Sequence, residues 1–207
     1  QTENNQNFVS ALYARDNANV TLTAGAGGSN YIASEAGILG ADELERTVWA
    51  HKGADINING TTVISASNAD INTASESGMG NSKGVAVTAG TGVGVGEGDL
   101  TDFNMVDELR SQVNISGDTQ IYGDVASAYE GLVNINTDGN HSTVLEGNAL
   151  AGNGGKLNIN LGENGQWDGR ADDYGDASVM GENGHQEFFA PAFSSAISQG
   201  GQVNLTM

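Results

Sequence analysis

The sequence predicts an all-β chain wound as a parallel β-helix, a β-solenoid of roughly nine or ten coils at about 20 residues each. Three observations predict it. An apolar-Asn-apolar core recurs as Ile56-Asn57-Ile58, Val113-Asn114-Ile115, Val133-Asn134-Ile135, Leu157-Asn158-Ile159 and Val203-Asn204-Leu205, with Val20-Thr21-Leu22 as a threonine version. The cores at 113, 133 and 157 lie 20 and 24 residues apart, and the wider gaps of 36 (20 to 56) and 46 (157 to 203) are each close to two such units. The chain holds 31 glycines and one proline, which suits many sharp corners joined by unbroken hydrogen-bond ladders.

Strands this short are unstable alone, so each coil needs its neighbours. Stacked in parallel at roughly 4.8 Å, the inward Val, Ile and Leu form columns while Asn and Thr face solvent. A second strand follows several cores: Ile121-Tyr122-Gly123, Val144-Leu145-Glu146-Gly147 and Trp167-Asp168-Gly169. The i, i+3, i+4 apolar spacing of helical repeats is mostly missing.

Taken in order, residues 1–17 are polar, with a Phe8-Val9 and Leu12-Tyr13 cluster expected to cover the first coil. Val20 to Ala24 is a strand and Gly25 to Ser29 a turn. Ser34 to Lys52 contains the good helix formers Ala41 to Arg46, echoed at Asp107 to Arg110, yet both are expected to be strands or short excursions from corners. Ala54 to Ala74 carries two or three strands, and Val85, Val87, Val93 and Val95 alternate within the glycine-dense 84–99 stretch. The repeat is clearest from 111 onward. Ala171 to Asn183 is acidic and loop-like, His185 to Ala196 is aromatic-rich, and 200–207 re-enters the ladder. The whole of 1–207 is expected to be one β-helix unit.

Seven basic residues against 26 acidic ones leave a net charge of −19, so a basic nucleic-acid footprint is absent. There are no cysteines, which excludes disulfides, thiol catalysis and cysteine-based zinc sites. No secretory signal and no apolar run of membrane-helix length is visible. The chain starts without Met and stops at Met207 inside a strand pattern, as a piece of a longer protein would.

The run Gly154-Gly155-Lys156-Leu157-Asn158-Ile159-Asn160-Leu161 through Trp167-Asp168-Gly169-Arg170-Ala171-Asp172-Asp173, followed by Phe193-Ser194-Ser195-Ala196-Ile197 through Met207, resembles the passengers of Gram-negative autotransporters. The similarity is to the pertactin-like, diffuse-adherence type near the passenger's C-terminal end, and it covers 111–207. It implies a single-stranded right-handed parallel β-helix at the cell surface or outer membrane, possessing no catalytic residues on its coils. A signal peptide, a capping segment and an outer-membrane barrel would lie outside this chain, the barrel being a partner in the same polypeptide. The implied activity is adhesion to a host surface, matrix protein or glycan, or self-association with the same protein on another cell. A polysaccharide-modifying β-helix enzyme and a pure stalk are the alternatives.

Candidate chemistry is sparse. An enzyme acting on acidic polysaccharide needs clustered carboxylates and a base. The nearest set is Asp168, Arg170, Asp172, Asp173 and Asp176, against a bland reading as a solvated acidic loop. His51, His141 and His185 sit in unrelated contexts and are expected at the surface, and no Gly-x-Ser-x-Gly elbow exists. Gly94 to Leu100, with Glu97 and Asp99, echoes a calcium-binding nonapeptide only once. No cofactor or metal is expected, calcium being the alternative through these residues or through Asp172, Asp173 and Asp176. Gly123, Gly147 and Gly169 lack the Gly-Lys-Ser/Thr ending of a phosphate loop. Phe188, Phe189 and Phe193 around Pro191 form either an inward stack or an exposed patch, and Trp167 packs between layers. Ligand specificity is expected from outward side chains along one face and from loops at 25–52, 75–110 and 171–196.

The register predicts Val113, Ile115, Val133, Ile135, Leu157, Ile159, Val203 and Leu205 buried. It predicts that Ile135→Asp is severe while Asn134→Asp matters little. The last strand, 202–207, is expected to have one open edge.

Overall fold

The computed structural model describes residues 7–35, 43–67, 84–90, 110–128, 131–152, 155–168, 171–173 and 202–206. Among them every regular element is a β-strand and every strand pairing is parallel. From β3 onward the strands are dealt to three sheets in strict rotation. Sheet B takes β3 (Asn19–Thr23), β6 (Asp55–Asn59), β9 (Gln112–Ser116), β12 (Leu132–Ile135), β15 (Lys156–Asn160) and β18 (Gln202–Thr206). Sheet C takes β4 (Asn30–Ser34), β7 (Thr62–Ala66), β10 (Thr119–Tyr122), β13 (Thr143–Glu146) and β16 (Gln166–Asp168). Sheet A takes β5 (Glu43–Ala50), β8 (Gly84–Ala89), β11 (Asp124–Ala128), β14 (Ala149–Gly152) and β17 (Ala171–Asp173). The chain is therefore a three-sided parallel β-helix. Crossovers between parallel strands of one sheet are overwhelmingly right-handed, and that is the winding expected here.

The coil count differs from the expectation. Val20 pairs directly with Ile56, Ile56 with Val113, and Leu157 with Val203. Each wide gap is thus a single coil with extra chain in its connections, and the described residues make five complete coils plus β18, where nine or ten were expected. The reason is that corners tolerate insertions cheaply while strands do not. The three longest connections, 67–83, 90–111 and 174–201, and the shorter 35–42 in the 20-to-56 coil all leave from or enter sheet A. The corners between sheets B and C are short in every coil.

The N-terminal cluster continues the helix instead of covering it. β1 (Asn7–Val9) and β2 (Leu12–Ala14) both pair with β5 and extend sheet A. Glu43 to Ala50 is a strand despite its helix formers, because parallel partners on both sides outweigh intrinsic propensity. The echo at 107–109 and the Val93/Val95 alternation lie outside the described residues.

Inward side chains stack in columns. Sheet B supplies Ile56, Val113, Val133 and Leu157 in one column, and Ile58, Ile115, Ile135 and Ile159 in the next, all buried. Sheet C supplies Ile32, Ile64, Ile121 and Leu145, closed at one end by Trp167, whose Nε1 donates to the Gly147 carbonyl at 2.9 Å. Each fully buried aliphatic side chain contributes about 1.5–3 kcal/mol. Val203 and Leu205 face the same core but are only half-buried, because among the described residues β18 has a neighbour on one side alone.

The corners are built for close stacking. Gly117 has φ 130°, and a Cβ there would overlap the carbonyl of Gly60 one coil earlier. One coil later Asn136, which follows Ile135 as Ser116 follows Ile115, lies in the left-handed region, φ 49°. Its side chain accepts from the Gly117 N–H at 2.9 Å and donates to the Gly117 carbonyl at 2.8 Å.

Candidate ligand-binding face

The outer face of sheet B carries the most regular chemistry in the molecule. Strand pleating sends the residue between two inward aliphatics outward, and in-register parallel pairing places like above like. Asn57, Asn114, Asn134, Asn158 and Asn204 therefore form one rank. Each side-chain N–H donates to the side-chain oxygen of the preceding coil, at 3.0 Å (Asn114 to Asn57) and 2.8 Å for Asn134 to Asn114, Asn158 to Asn134 and Asn204 to Asn158. This is an amide ladder of the kind that stabilises stacked parallel strands. Every bond runs the same way. Each interior amide retains one N–H and one oxygen lone pair, held in a fixed direction.

A second rank lies beside the first, with Thr23, Asn59, Ser116, Asn160 and Thr206. Asn59 donates to Thr23 Oγ1 at 3.4 Å, and Asn160 Oδ1 accepts from the Gly162 N–H at 2.9 Å. Two clefts follow these ranks. One, of about 370 Å³, is lined by Asn134, Thr137, Asn158, Ile159, Asn160, Asn204 and Thr206. The other, of about 190 Å³, is lined by Asn59, Asn114, Ile115, Ser116, Asn134, Asn136, Thr137 and Asp138. They share Asn134 and Thr137, so they adjoin along the helix axis. At the outward strand positions of the face the charged residues are Asp55 and Lys156, which cancel. Asp138, at the corner, is held ionised below the usual carboxylate range chiefly by hydrogen bonds from Asn140.

Of the carboxylate set, Asp168, Asp172 and Asp173 lie on described strands, in two different sheets. Asp168 is exposed at the end of β16 on sheet C. Asp172 and Asp173 are on β17 in sheet A, paired with Leu150 and Ala151. Arg170 and Asp176 lie outside the described residues, as do Glu97, Asp99, His185, Phe188, Phe189, Pro191, Phe193 and Gly169. Among the described residues no group of three or more His, Cys, Asp or Glu is placed to hold a metal ion. Gly123 and Gly147 stack at the corner between sheets C and A, where a Cβ on Gly147 would overlap the Gly123 carbonyl.

The histidines split. His141 is half-exposed near Asp118, at 3.8 Å. His51 is half-buried. It is stacked on Trp49 with ring centroids 4.9 Å apart, and burial pushes it down to about 4, helped by Lys52 and Arg15. The 25–52 segment is not a binding loop either, since it contains β4 and the eight-residue β5. Of 75–110 the described part is β8 with its two flanking ends, and of 171–196 it is β17.

Sequence reasoning missed the polar interior of sheet A. Glu45 is fully buried, and its Oε1 accepts from Ser34 Oγ, from the Ser67 N–H at 2.8 Å and from Ser67 Oγ at 2.9 Å. Neighbouring Arg46 is also buried. Desolvation lowers it to about 10 against the opposing pull of Asp124 and Glu45. Asp124 in turn accepts from the Asn148 N–H at 2.8 Å and from Nδ2 at 3.1 Å. No periodic signal marks these residues. The amide ladder, by contrast, was available in the recurring Asn once the strands were stacked in register. No family model, curated protein or solved structure matches the chain.

Proposed function

We propose that this chain is a non-enzymatic adhesive rod, a stretch of the surface-exposed passenger of a Gram-negative autotransporter. The observation that carries the adhesive reading is the outer face of sheet B. It is regular and rigidly bonded, with few charges, and its amide ladder runs from Asn57 to Asn204 without an assembled set of reactive groups among the described residues. The passenger class rests on the sequence resemblance over 111–207 and agrees with the parallel β-helix. The barrel that would anchor it follows in the same polypeptide, and the target is a host surface, a matrix protein or glycan, or a second cell bearing the same protein.

The test is display of the full polypeptide on a non-adherent Gram-negative host. The expected result is gain of attachment to host cells or matrix-coated surfaces, or cell clumping. Display without either gain overturns the adhesive reading. Release of reducing ends from a polysaccharide, lost in Asp172→Asn or Asp173→Asn, would replace it with the enzyme alternative.

A further inference from the structure

We propose that the groove along sheet B binds a linear, neutral, polyhydroxylated polymer, a glycan chain lying parallel to the helix axis. This rests on the adhesive reading and names the ligand class for it.

Shape comes first. The two adjoining clefts are bounded by the amide ranks and by the corner residues Thr137 and Asp138, and together they reach from Asn59 to Thr206. A long, open, concave track suits a chain that enters from the side. A second copy of this protein would offer another concave track, which does not fill the first.

Charge narrows the class. The molecule carries −19, yet the two charged outward strand residues of this face cancel, leaving the ionised Asp138 at the corner as the charged residue of the cleft linings. A polyanion is repelled by the surrounding field, and a polycation is drawn to acidic surface elsewhere. A neutral chain is indifferent to both.

Hydrogen-bond chemistry selects hydroxyls. Each ladder amide has one donor and one acceptor left over, and a sugar hydroxyl both donates and accepts. The ladder already holds these amides in place, so little rotamer freedom remains to be lost on binding. The same pair of groups recurs at every coil, roughly 4.8 Å apart. A polymer therefore gains by engaging several coils at once, and its affinity rises with length. No aromatic side chain occupies an outward position of this face among the described residues, so stacking contributes nothing and a single sugar binds weakly.

The experiment is affinity electrophoresis of the purified protein through gels holding hydroxyethylcellulose, dextran, soluble starch or heparin. Titration with the matching neutral oligosaccharides of increasing length follows. Retardation by at least one neutral polymer is expected, insensitive to added salt and strengthening with oligomer length. Thr137→Trp, which fills the shared part of the groove without touching the ladder, should weaken it by about tenfold or more. Asn134→Leu/Asn158→Leu should do the same, with far-UV circular dichroism confirming the fold. Tyr31→Ala, exposed on sheet C, should change nothing. Retardation by heparin alone overturns the proposal. So does neutral-polymer binding that survives Thr137→Trp. A dimer in sedimentation that Thr137→Trp dissolves, with no neutral polymer bound, assigns the face to a second copy and also overturns it. Displayed protein that adheres equally well with and without Thr137→Trp refutes the groove while leaving adhesion standing. Glycan retention without any adhesion does the reverse.

Discussion

Sheets A and B are wound from the same coils, yet they solve burial in opposite ways. Sheet B alternates cleanly. Its inward columns are aliphatic, two of its outward ranks are amides and hydroxyls, and its pairing shows no shift from β3 to β18. Sheet A is closed on both faces: Trp49, Thr88 and Ala126 share an outward rank and are all buried. Its register slips between Asp124 and Val125, where β11 meets β8. It also contains Glu45, Arg46 and Asp124, all buried. The difference tracks the long excursions, every one of which borders sheet A. Sheet B has the outer face that stays regular and open, which is why the candidate groove lies there.

The sharpest way to break the comparison is to put a charge into each sheet's inside. Ile135→Asp on sheet B places an unpaired carboxylate in a fully buried column and should cost more than about 4 kcal/mol, read as lost cooperative thermal unfolding. One residue away, Asn134→Asp should cost about 1–2 kcal/mol. That is more than the sequence alone suggested, since the change deletes the donor to Asn114 and sets two acceptors face to face. Equal melting temperatures for the two variants would refute the register.

On sheet A buried charges are already present. Arg46→Met should cost about 3 kcal/mol, because it removes a countercharge from buried Asp124 and Glu45. Adding Asp124→Asn should recover part of that loss, and the double-mutant cycle measures the coupling. Additive losses would mean that Arg46 acts through packing alone.

His51, just past β5, gives the sheet A side a pH dependence in the histidine range. Its value in the folded chain, about 4, lies below the ordinary 6.5. The unfolded chain therefore binds the extra proton more readily, and stability falls as pH drops from about 6.5 toward 4. With partial solvent contact the effect is on the order of 2 kcal/mol. His51→Gln should flatten the melting temperature across that window relative to the parent. An unchanged pH profile would show that the imidazole is not held neutral by its stack on Trp49.

The smallest effect should be a gain. Ser127 sits in the Ala50, Ala89, Ala151 column, buried, with its hydroxyl unpartnered. Ser127→Ala removes a buried polar atom at almost no cost in volume and should stabilise by about 1 kcal/mol. A lower denaturant midpoint would mean that the hydroxyl has a partner after all.

The sequence by itself determined the solenoid, its parallel register and the columns of sheet B. Apolar-Asn-apolar cores impose a period of two within each strand, and their recurrence at 20 and 24 residues specifies which strand lies on which. Ile121, Leu145 and Trp167 were legible for the same reason. Only the tertiary structure decided the coil count, the polar interior of sheet A and the position of the groove. A gap of 36 or 46 residues measures chain length, and length does not distinguish two coils from one coil with an excursion. Glu45 and Arg46 have no apolar period to mark them as interior. Their burial depends on what stacks against β5: Ser34, Ser67 and Asp124 come from three other parts of the chain. The groove likewise requires Thr137 at a corner to stand beside asparagines from its own coil and four others. That meeting is a product of the winding and is written in no single stretch of residues.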